Sequence, residues 1–565
     1  MIKVIYKPQD MRYVFMQSDS PQQKELLDLE GYLNKIPQFM FLPSFSGIPK
    51  PEVFLNKFKT KDGRIIFWCH TGLIDVIEDW CKANNVNIKI TNPAGIEDLK
   101  YREMPMSLEE FRKYVDSWGL SLNPRDYQYE AAYKILCNRQ SLSQLATRAG
   151  KTLIAYMVFR YMLEHGARKI LMIVPSIQLV KQGVADFSEY AEFFKSETVW
   201  AKSELCASAN LTIGTYQSLV QRADPKSKKY NPKFFKDFDV VCVDEAHHLV
   251  CKSINTILNQ DFMKNVKLKF GFTGTLPEEG TIESFCCHSL MGWTIQDISP
   301  MELVDEGFLA KPDITQIRIN YKDSPQLTNA YIQCGEYLNA NDKVVDGKKV
   351  LLPKEKRNFT MQYEKVLPFA LQEVKKLYEP EEYKMYLIDL CKAKGSNLLM
   401  LEQMLVHRSQ KRLQIIDELL FGMTKNCIVF AHHTEYLKFL KAHFEAKFPD
   451  RTIYIIDGSA NLKKRQKIID EMNKNDGVIL CASYGCCSTG ITFKNVDYCI
   501  LAQSFKSEIV NLQSIGRCML KTAEKDTFYM YDIVDVFPTK KIYTQGLAKI
   551  RTYEKEGFTH RIVNK

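Results

Sequence analysis

No Cys-x-x-Cys pair occurs among the sixteen cysteines. Adjacent pairs such as Cys286-Cys287 and Cys486-Cys487 suit neither a disulfide nor tetrahedral zinc. Their neighbours are apolar, which excludes a secreted disulfide framework and points to reduced core thiols in a cytoplasmic chain. No apolar run reaches about 18 residues, the length a membrane-spanning helix needs, and Met1 to Tyr13 holds no run of signal-peptide length. No short repeat of solenoid type is present. Neither sign of charge dominates: 77 Lys+Arg against 67 Asp+Glu leaves +10, compatible with a polyanionic partner without requiring one. What is there is ordinary globular composition, 45% hydrophobic, 25% charged and 12% aromatic, which rules out wholesale disorder, collagen and a coiled-coil rod. The 565 residues suit roughly three or four domains.

Residues 1–106 read as a small α+β domain, with strand-like MIKVIY and GRIIFWC and helical spacing in TGLIDVIEDWCKANN. Its run KFKTKDGR, Lys57 to Arg64, is equally a nucleic-acid contact or a solvated hairpin. A domain over 107–311 opens with a connecting helix, where Ser107 precedes Glu109 and Glu110 in the first turn. In it the runs KILMIVPS, LTIGTY, FDVVCVDEA and KFGFTGT each end in a polar or glycine-rich turn, as strands buried on both faces of a parallel sheet do. A second such domain is expected over 312–550, with NCIVFAHH, RTIYIIDGS, GVILCAS, VDYCILAQS and TFYMYDIVD as its strands. An insertion at about 323–396, helical or irregular, interrupts it, and 551–565 form a C-terminal tail. The class is α/β: two parallel-sheet domains, a small N-terminal α+β domain, and an insertion in or before the second sheet.

The sharpest local signal is LATRAGKT, Leu145 to Thr152. A phosphate loop needs a glycine where backbone amides approach phosphate, a lysine for the β and γ groups, and a hydroxyl for Mg²⁺. Gly150, Lys151 and Thr152 supply these, and the helix that begins there adds its positive dipole end. The usual first glycine is missing, and Leu145 stands in its place. Further on, VVCVDEAHHL brings an apolar strand to its C-terminal edge at Asp244 and Glu245, the edge that faces the ligand crevice of a parallel sheet. Asp244 suits a metal ion, and Glu245 the orientation and deprotonation of a water. Upstream, Arg125, Tyr127 and Gln128 of PRDYQ offer an amide for an adenine edge and a planar group for its ring, although taken alone the segment is only a helix start. FTGT ends a strand at Thr273 and Thr275, two hydroxyls that suit coupling of nucleotide state to domain position or a plain turn. In the second block, Arg517 of QSIGRCML is a candidate to neutralise a γ-phosphate in the transition state, a device worth about 10³–10⁵ in rate; taken alone it reads as a solvated helix arginine, and its order after the other motifs is what raises it.

The ordered set PRDYQ, AGKT, VPSIQLVKQ, IGTYQSL, VDEAH, FTGT, IVFAHH, ASYGCCSTGI and QSIGR resembles superfamily 2 helicases of the DEAH type. Within them it is most similar to the branch-migration helicases of T-even bacteriophages, over most of the chain except roughly 320–400. The resemblance implies two RecA-like motor domains, ATP and Mg²⁺ as cofactors, and DNA as partner. It also implies 3′→5′ movement on forks, Holliday junctions and displacement loops during phage replication and recombination, by a monomer in the host cytoplasm alongside replication or recombination proteins. By the same resemblance, Arg125 and Gln128 contact adenine, Gly150, Lys151 and Thr152 bind phosphates, and Thr152 and Asp244 hold Mg²⁺. Glu245 handles the water, while Gly490, Gln513 and Arg517 face the nucleotide from the second motor domain. Pro175, Ser176, Gln182, Thr215 and Gln217 line the DNA path in the first motor domain, and Ser459, Arg465 and Thr489 do so in the second. Two departures stand out. Leu520 occupies the place where many relatives carry a second arginine, and Lys521 beside it cannot reproduce a bidentate fork; Thr492 stands where an acidic residue is common. An RNA helicase is the alternative within this class, because only the 2′-hydroxyl separates the two substrates. An annealing protein using ATP as a switch is the alternative outside it, against which the intact Lys151, Asp244 and Glu245 argue.

Overall fold

The computed structural model describes residues 1–6, 10, 12–20, 22–35, 52–91, 101–199, 208–321, 343–345, 348–350, 403, 406–407, 409–458, 460, 462–484, 493–503, 515–536 and 541–565. They form two compact units, Met1–Ser299 and Pro300–Lys565.

The first unit begins with a small mixed sheet. Its strands β1 (Ile2–Tyr6), β2 (Tyr13–Ser18), β3 (Asn56–Lys59), β4 (Ile65–His70) and β5 (Ile88–Thr91) lie in the order β3-β4-β2-β1-β5. Alternation puts Ile2, Val4, Val14, Met16, Phe67 and Cys69 on one face. That face is covered by helices α1 (Lys24–Leu33) and α2 (Ile74–Ala83) through Leu26, Leu29, Leu33, Ile74 and Ile77. Phe285, from a helix of the sheet that follows, completes this core. Gly72 fits so closely against that helix that a Cβ there would stand 2.0 Å from the His288 carbonyl. Helix α3 (Leu108–Asp116) is opened by the expected cap: Glu110 N–H donates to Ser107 Oγ at 3.3 Å, and Ser107 N–H to Glu110 Oε2 at 2.7 Å.

After α4 (Asp126–Leu136) comes a seven-stranded sheet. Its members are β6 (Gln140–Leu145), β7 (Lys169–Val174), β8 (Ser196–Val199), β9 (Leu211–Thr215), β10 (Phe238–Asp244), β11 (Leu268–Thr273) and β12 (Thr294–Ile298), ordered β12-β6-β11-β10-β7-β9-β8. Every pairing is parallel. Helices α5 (Lys151–Glu164), α6 (Ile177–Tyr190), α7 (Tyr216–Ala223), α8 (Lys252–Leu258) and α9 (Ile282–Met291) connect the strands. β10 is central and buried along its length up to Asp244, which is why its sequence is a near-continuous apolar run.

The second unit opens with α10 (Pro300–Asp305), twelve residues before the expected boundary at 312, and continues into β13 (Lys311–Asn320). Of the insertion expected at 323–396, the described part is an antiparallel hairpin, β14 (Lys343–Val345) with β15 (Lys348–Val350); the rest lies outside the described residues. After α11 (Gln410–Phe421) the chain adds β16 (Cys427–Ala431), α12 (Thr434–Lys447), β17 (Ile453–Ile456), α13 (Leu462–Lys474), β18 (Ile479–Ser483), β19 (Tyr498–Leu501), β20 (Thr527–Val536), α14 (Lys541–Lys555) and β21 (Thr559–Asn564). The sheet order is β17-β18-β16-β19-β20-β13-β21, again parallel throughout. Of the two places expected for the insertion, in or before the second sheet, the strand order gives the first, because β13 precedes it and β16 follows it in one sheet. One expectation changes. Residues 551–565 are no tail: they end α14 and supply β21, which pairs with β13 from Asp313↔Thr559 to Arg318↔Asn564. No helix among the described residues is long and apolar enough to cross a membrane.

Candidate functional site

Parallel pairing brings the C-terminal ends of the first unit's strands to one edge. Asp244 of β10 pairs with Phe272 of β11, and Thr273 of β11 with Gln144 of β6. The ends of β6, β11 and β10 therefore sit side by side, with the AGKT loop, FTGT and the acidic pair on them.

The loop after β6 has two left-handed positions, Arg148 at φ 74° and Gly150 at φ 80°. Such alternation turns successive N–H groups inward, the backbone arrangement that receives an anion. Gly150 also caps α5; a Cβ there would stand 2.1 Å from Gln128 Nε2, so any other residue would strain the left-handed turn and push Gln128 aside from the Ala149 carbonyl. Leu145 explains the missing first glycine. It ends β6 in register with Ile298, is fully buried, and its φ is not positive, so no special backbone freedom is required there.

Gln128 and its neighbours brace this loop from α4. Gln128 Nε2 and Tyr127 O–H each donate to the Ala149 carbonyl at 2.8 Å. Arg125 Nη1 donates to Tyr127 Oη at 2.7 Å, and Arg125 N–H to Gln128 Oε1 at 2.8 Å. The amide thus has its plane fixed between the start of α4 and the phosphate loop, with one N–H and one lone pair beyond these bonds.

Lys151, the first residue of α5, donates to the Leu145 carbonyl at 3.3 Å and lies 4.0 Å from Glu245 Oε1. Thr152 follows it in the same first turn. Glu245 is 6% exposed and held at φ 54°, ψ 56°, a left-handed conformation that costs a non-glycine residue of order 1–3 kcal/mol. Its N–H donates to Asp244 Oδ1 at 3.0 Å. A hydroxyl, a lysine and two carboxylates at a helix N-terminus fit a nucleotide with a hard, oxygen-loving cation: Thr152 and Asp244 are oxygen donors, and the loop amides and Lys151 suit phosphate.

The sequence reasoning missed His247. Its Nδ1 lies 3.0 Å from Thr273 Oγ1 and 3.5 Å from Glu245 Oε2. Thr273 O–H donates to the Thr275 carbonyl at 2.8 Å and its oxygen accepts Thr275 N–H at 3.2 Å, so the imidazole supplies the proton in the His247–Thr273 bond. Burial, against the pull of the Glu245 carboxylate, lowers this imidazole to about 4, which keeps the ring neutral. A chain from Glu245 through His247 to Thr273 and Thr275 results. The signal was in the sequence, because the residues after β10 and β11 must meet when those strands are neighbours.

The residues expected on a nucleic-acid path lie further along the same edge. Pro175 follows β7, and Ser176 caps α6 by accepting Leu179 N–H at 3.3 Å. Thr215 ends β9 in register with Val174 and bonds Ser218 Oγ at 3.0 Å. Gln217 Nε2 donates to the Pro175 carbonyl at 3.3 Å. These four come together, and Gln182 is exposed on α6. In the second unit Arg465 sits near the start of α13, with Nε on the Ala460 carbonyl at 2.9 Å and Nη2 on that of Asp457 at 3.2 Å. Arg517 is half-buried in a short helical stretch at 515–518, and Leu520 is engaged in a backbone bridge with Leu309. Ser459, Thr489, Gly490, Thr492 and Gln513 lie outside the described residues.

Residues 121–278 match the family described as Type III restriction enzyme, res subunit, and residues 410–519 match the helicase conserved C-terminal domain. The chain is 25% identical over 514 residues to the ATP-dependent DNA helicase uvsW of Enterobacteria phage T4, covering 86% of each. It is 28% identical over 196 residues to the DNA 3'-5' translocase XPB2 of Sulfurisphaera tokodaii, covering 35% of this chain and 40% of that one. Among solved structures, the DNA-bound ATP-dependent Type ISP restriction-modification enzyme LlaBIII superposes at a TM-score of 0.50 and 16% identity, over 79% of this chain and 31% of that one, a likeness of fold.

Proposed function

We propose that this chain, a superfamily 2 helicase and so an ATP-hydrolysing motor, acts on DNA and remodels branched DNA such as forks, four-way junctions and displacement loops. The observation that carries the ATPase part is Lys151 within 4.0 Å of Glu245, beside Asp244, at the strand ends where the phosphate loop begins. The DNA part is supported by similarity to a DNA helicase over 86% of the chain. The branched substrate and a role in phage replication and recombination go a step further, with the phage relative as their support.

In this reading Lys151 swings from the Leu145 carbonyl to the β and γ phosphates, and the loop amides around Gly150 hold them. Thr152 and Asp244 bind Mg²⁺, which supplies neutralisation of charge on the phosphate oxygens. Glu245 orients the attacking water and accepts its proton. Arg125 and Gln128 select adenine; Gly490, Gln513 and Arg517 serve the nucleotide from the second unit. Pro175, Ser176, Gln182, Thr215 and Gln217, with Ser459, Arg465 and Thr489, hold backbone phosphates, which fix position without reading sequence.

Steady-state ATP hydrolysis with single-stranded, duplex, forked and four-way DNA, and with RNA, tests the reading. Branched DNA is expected to stimulate most; stimulation by RNA alone would replace the DNA reading with the RNA one. Lys151→Ala and Glu245→Gln are each expected to abolish strand separation. Normal turnover in Glu245→Gln would remove that residue from water activation.

A further inference from the structure

Half of the chain's net charge sits in fifteen residues that none of the motor motifs uses. From Arg222 to Lys236 there are six cations and one carboxylate, a net charge of +5, against +10 for all 565 residues. Lys226, Lys228, Lys229, Lys233 and Lys236 are all exposed. Among the described residues none of these five ammonium groups lies within 4.0 Å of a carboxylate, whereas the neighbouring Asp237 is held by Arg168 at 3.1 Å. A solvated charged face normally mixes signs and pairs them; here one sign is gathered and left unpaired.

The segment is also built to hold its shape. Lys226 N–H and Ser227 N–H donate to the side chain and carbonyl of Asp224, each at 2.9 Å. Tyr230 N–H reaches the Ser227 carbonyl at 3.1 Å, and Asn231 N–H the Arg222 carbonyl at 2.9 Å. A short helical turn, Pro232–Phe235, then sinks Phe235, 1% exposed, into the core against Phe262 at 4.9 Å. Arg222 lies over the Phe234 ring at 5.2 Å. The lysines are therefore carried on an anchored scaffold, where less ordering entropy opposes binding. Tyr230, 42% exposed, stands among them with a hydroxyl that can donate to phosphate.

The place matters as much as the charge. The turn follows α7, whose other end carries Thr215 and Gln217 at the sheet edge. Eight helical residues at about 1.5 Å each set the two ends roughly 12 Å apart.

We infer that the Arg222–Lys236 turn is a second nucleic-acid contact, gripping the phosphate backbone of a duplex arm that flanks the strand held at the sheet edge. This rests on the DNA reading above and adds to it a surface for the arm that makes a substrate branched. The surface reads charge alone and is sequence-independent.

The test is equilibrium binding, without nucleotide, of full-length chain to forked DNA with duplex arms and to single-stranded DNA across a salt series. The triple variant Lys226→Ala, Lys228→Ala, Lys229→Ala is compared with the wild type and with the three Lys→Arg changes. On forked DNA the slope of log affinity against log salt should fall by about 0.9 for each phosphate that the variant no longer neutralises, while single-stranded DNA changes less and the arginine variant keeps the wild-type slope. DNA-free ATP hydrolysis should stay at the wild-type rate, since none of these residues serves the nucleotide. An unchanged slope on forked DNA overturns the inference alone. A variant that binds forked DNA normally but loses affinity for polyglutamate overturns it in favour of an acidic protein partner. A wild-type chain that binds no DNA at all overturns both the DNA reading and this surface.

Discussion

Glu245 occupies backbone space that few glutamates accept, and the reason lies in what its two oxygens face. At φ 54° the side chain turns back over the strand end, so that Oε1 looks toward Lys151 at 4.0 Å and Oε2 toward His247 at 3.5 Å. The carboxylate proposed to handle water therefore also touches the neutral imidazole that donates to Thr273. Because burial holds His247 down at about 4, the ring carries no charge at neutral pH and works as a fixed hydrogen-bond bridge. Thr273→Val keeps the volume of a buried side chain, 0% exposed, and deletes all three bonds of its hydroxyl, from His247, to the Thr275 carbonyl and from Thr275 N–H. The expected outcome is ATP hydrolysis within a few-fold of the wild type, with strand separation per ATP reduced about tenfold or more. Parallel measurement of phosphate release and unwinding on one forked substrate checks this, and equal losses in both would make Thr273 part of the hydrolytic site instead of its link to movement.

At the scale of elements, what the sequence discloses depends on whether burial shows as apolarity. β7, β9, β10 and β11 announce themselves as apolar runs. β6, which carries the phosphate loop, does not: QSLSQL is polar, yet Ser141, Leu142 and Ser143 are 0% exposed. Its serines are buried as completely as its leucine, and no periodicity rule reads burial from polar residues. The motif after the strand was legible, but the strand beneath it was not. β21 fails for the opposite reason, because at the sheet edge THRIVN stays largely exposed, with Ile562 at 42%, and so reads as a tail. Its six residues nevertheless cover the outer edge of β13, whose Ile314, Thr315, Gln316 and Ile317 are buried. Truncation before Thr559 is expected to lower the melting temperature of the second unit, by about 2–4 °C for each kcal/mol of lost pairing in a unit of this size. Calorimetry of the full chain with and without those residues decides it, and an unchanged transition would mean that the strand adds nothing to the fold.

Over the whole molecule, the chain's departure from the second sheet and its return are bracketed by one buried carboxylate. The chain leaves the second sheet at Asn320 and Tyr321, and helix α11 brings it back at Lys411 and Arg412. Tyr321 O–H donates to Asp535 Oδ1 at 2.8 Å, fully buried Arg412 pairs with Asp535 Oδ2 and also donates to the Ala502 carbonyl, and Lys411 Nζ reaches the Asn320 carbonyl at 2.9 Å. Exit and return are thus held together by the sheet itself, through β13, β19, β20 and α11. A buried ion pair adds little net stability but is costly to break on one side, about 3–5 kcal/mol, so the two ends should stay joined when the intervening chain is shortened. Loop-closure entropy also favours the shorter connection, if only by about 0.6 kcal/mol for each halving of its length. Replacing residues 323–396 with a short glycine-serine linker is therefore expected to leave the second unit's melting temperature within a few degrees of the wild type and DNA-free ATP hydrolysis intact. If those residues touch DNA, the loss will appear in binding or unwinding alone. Loss of the cooperative thermal transition would show that the segment belongs to the second unit's core, and that the Asp535 network closes the fold only with its help.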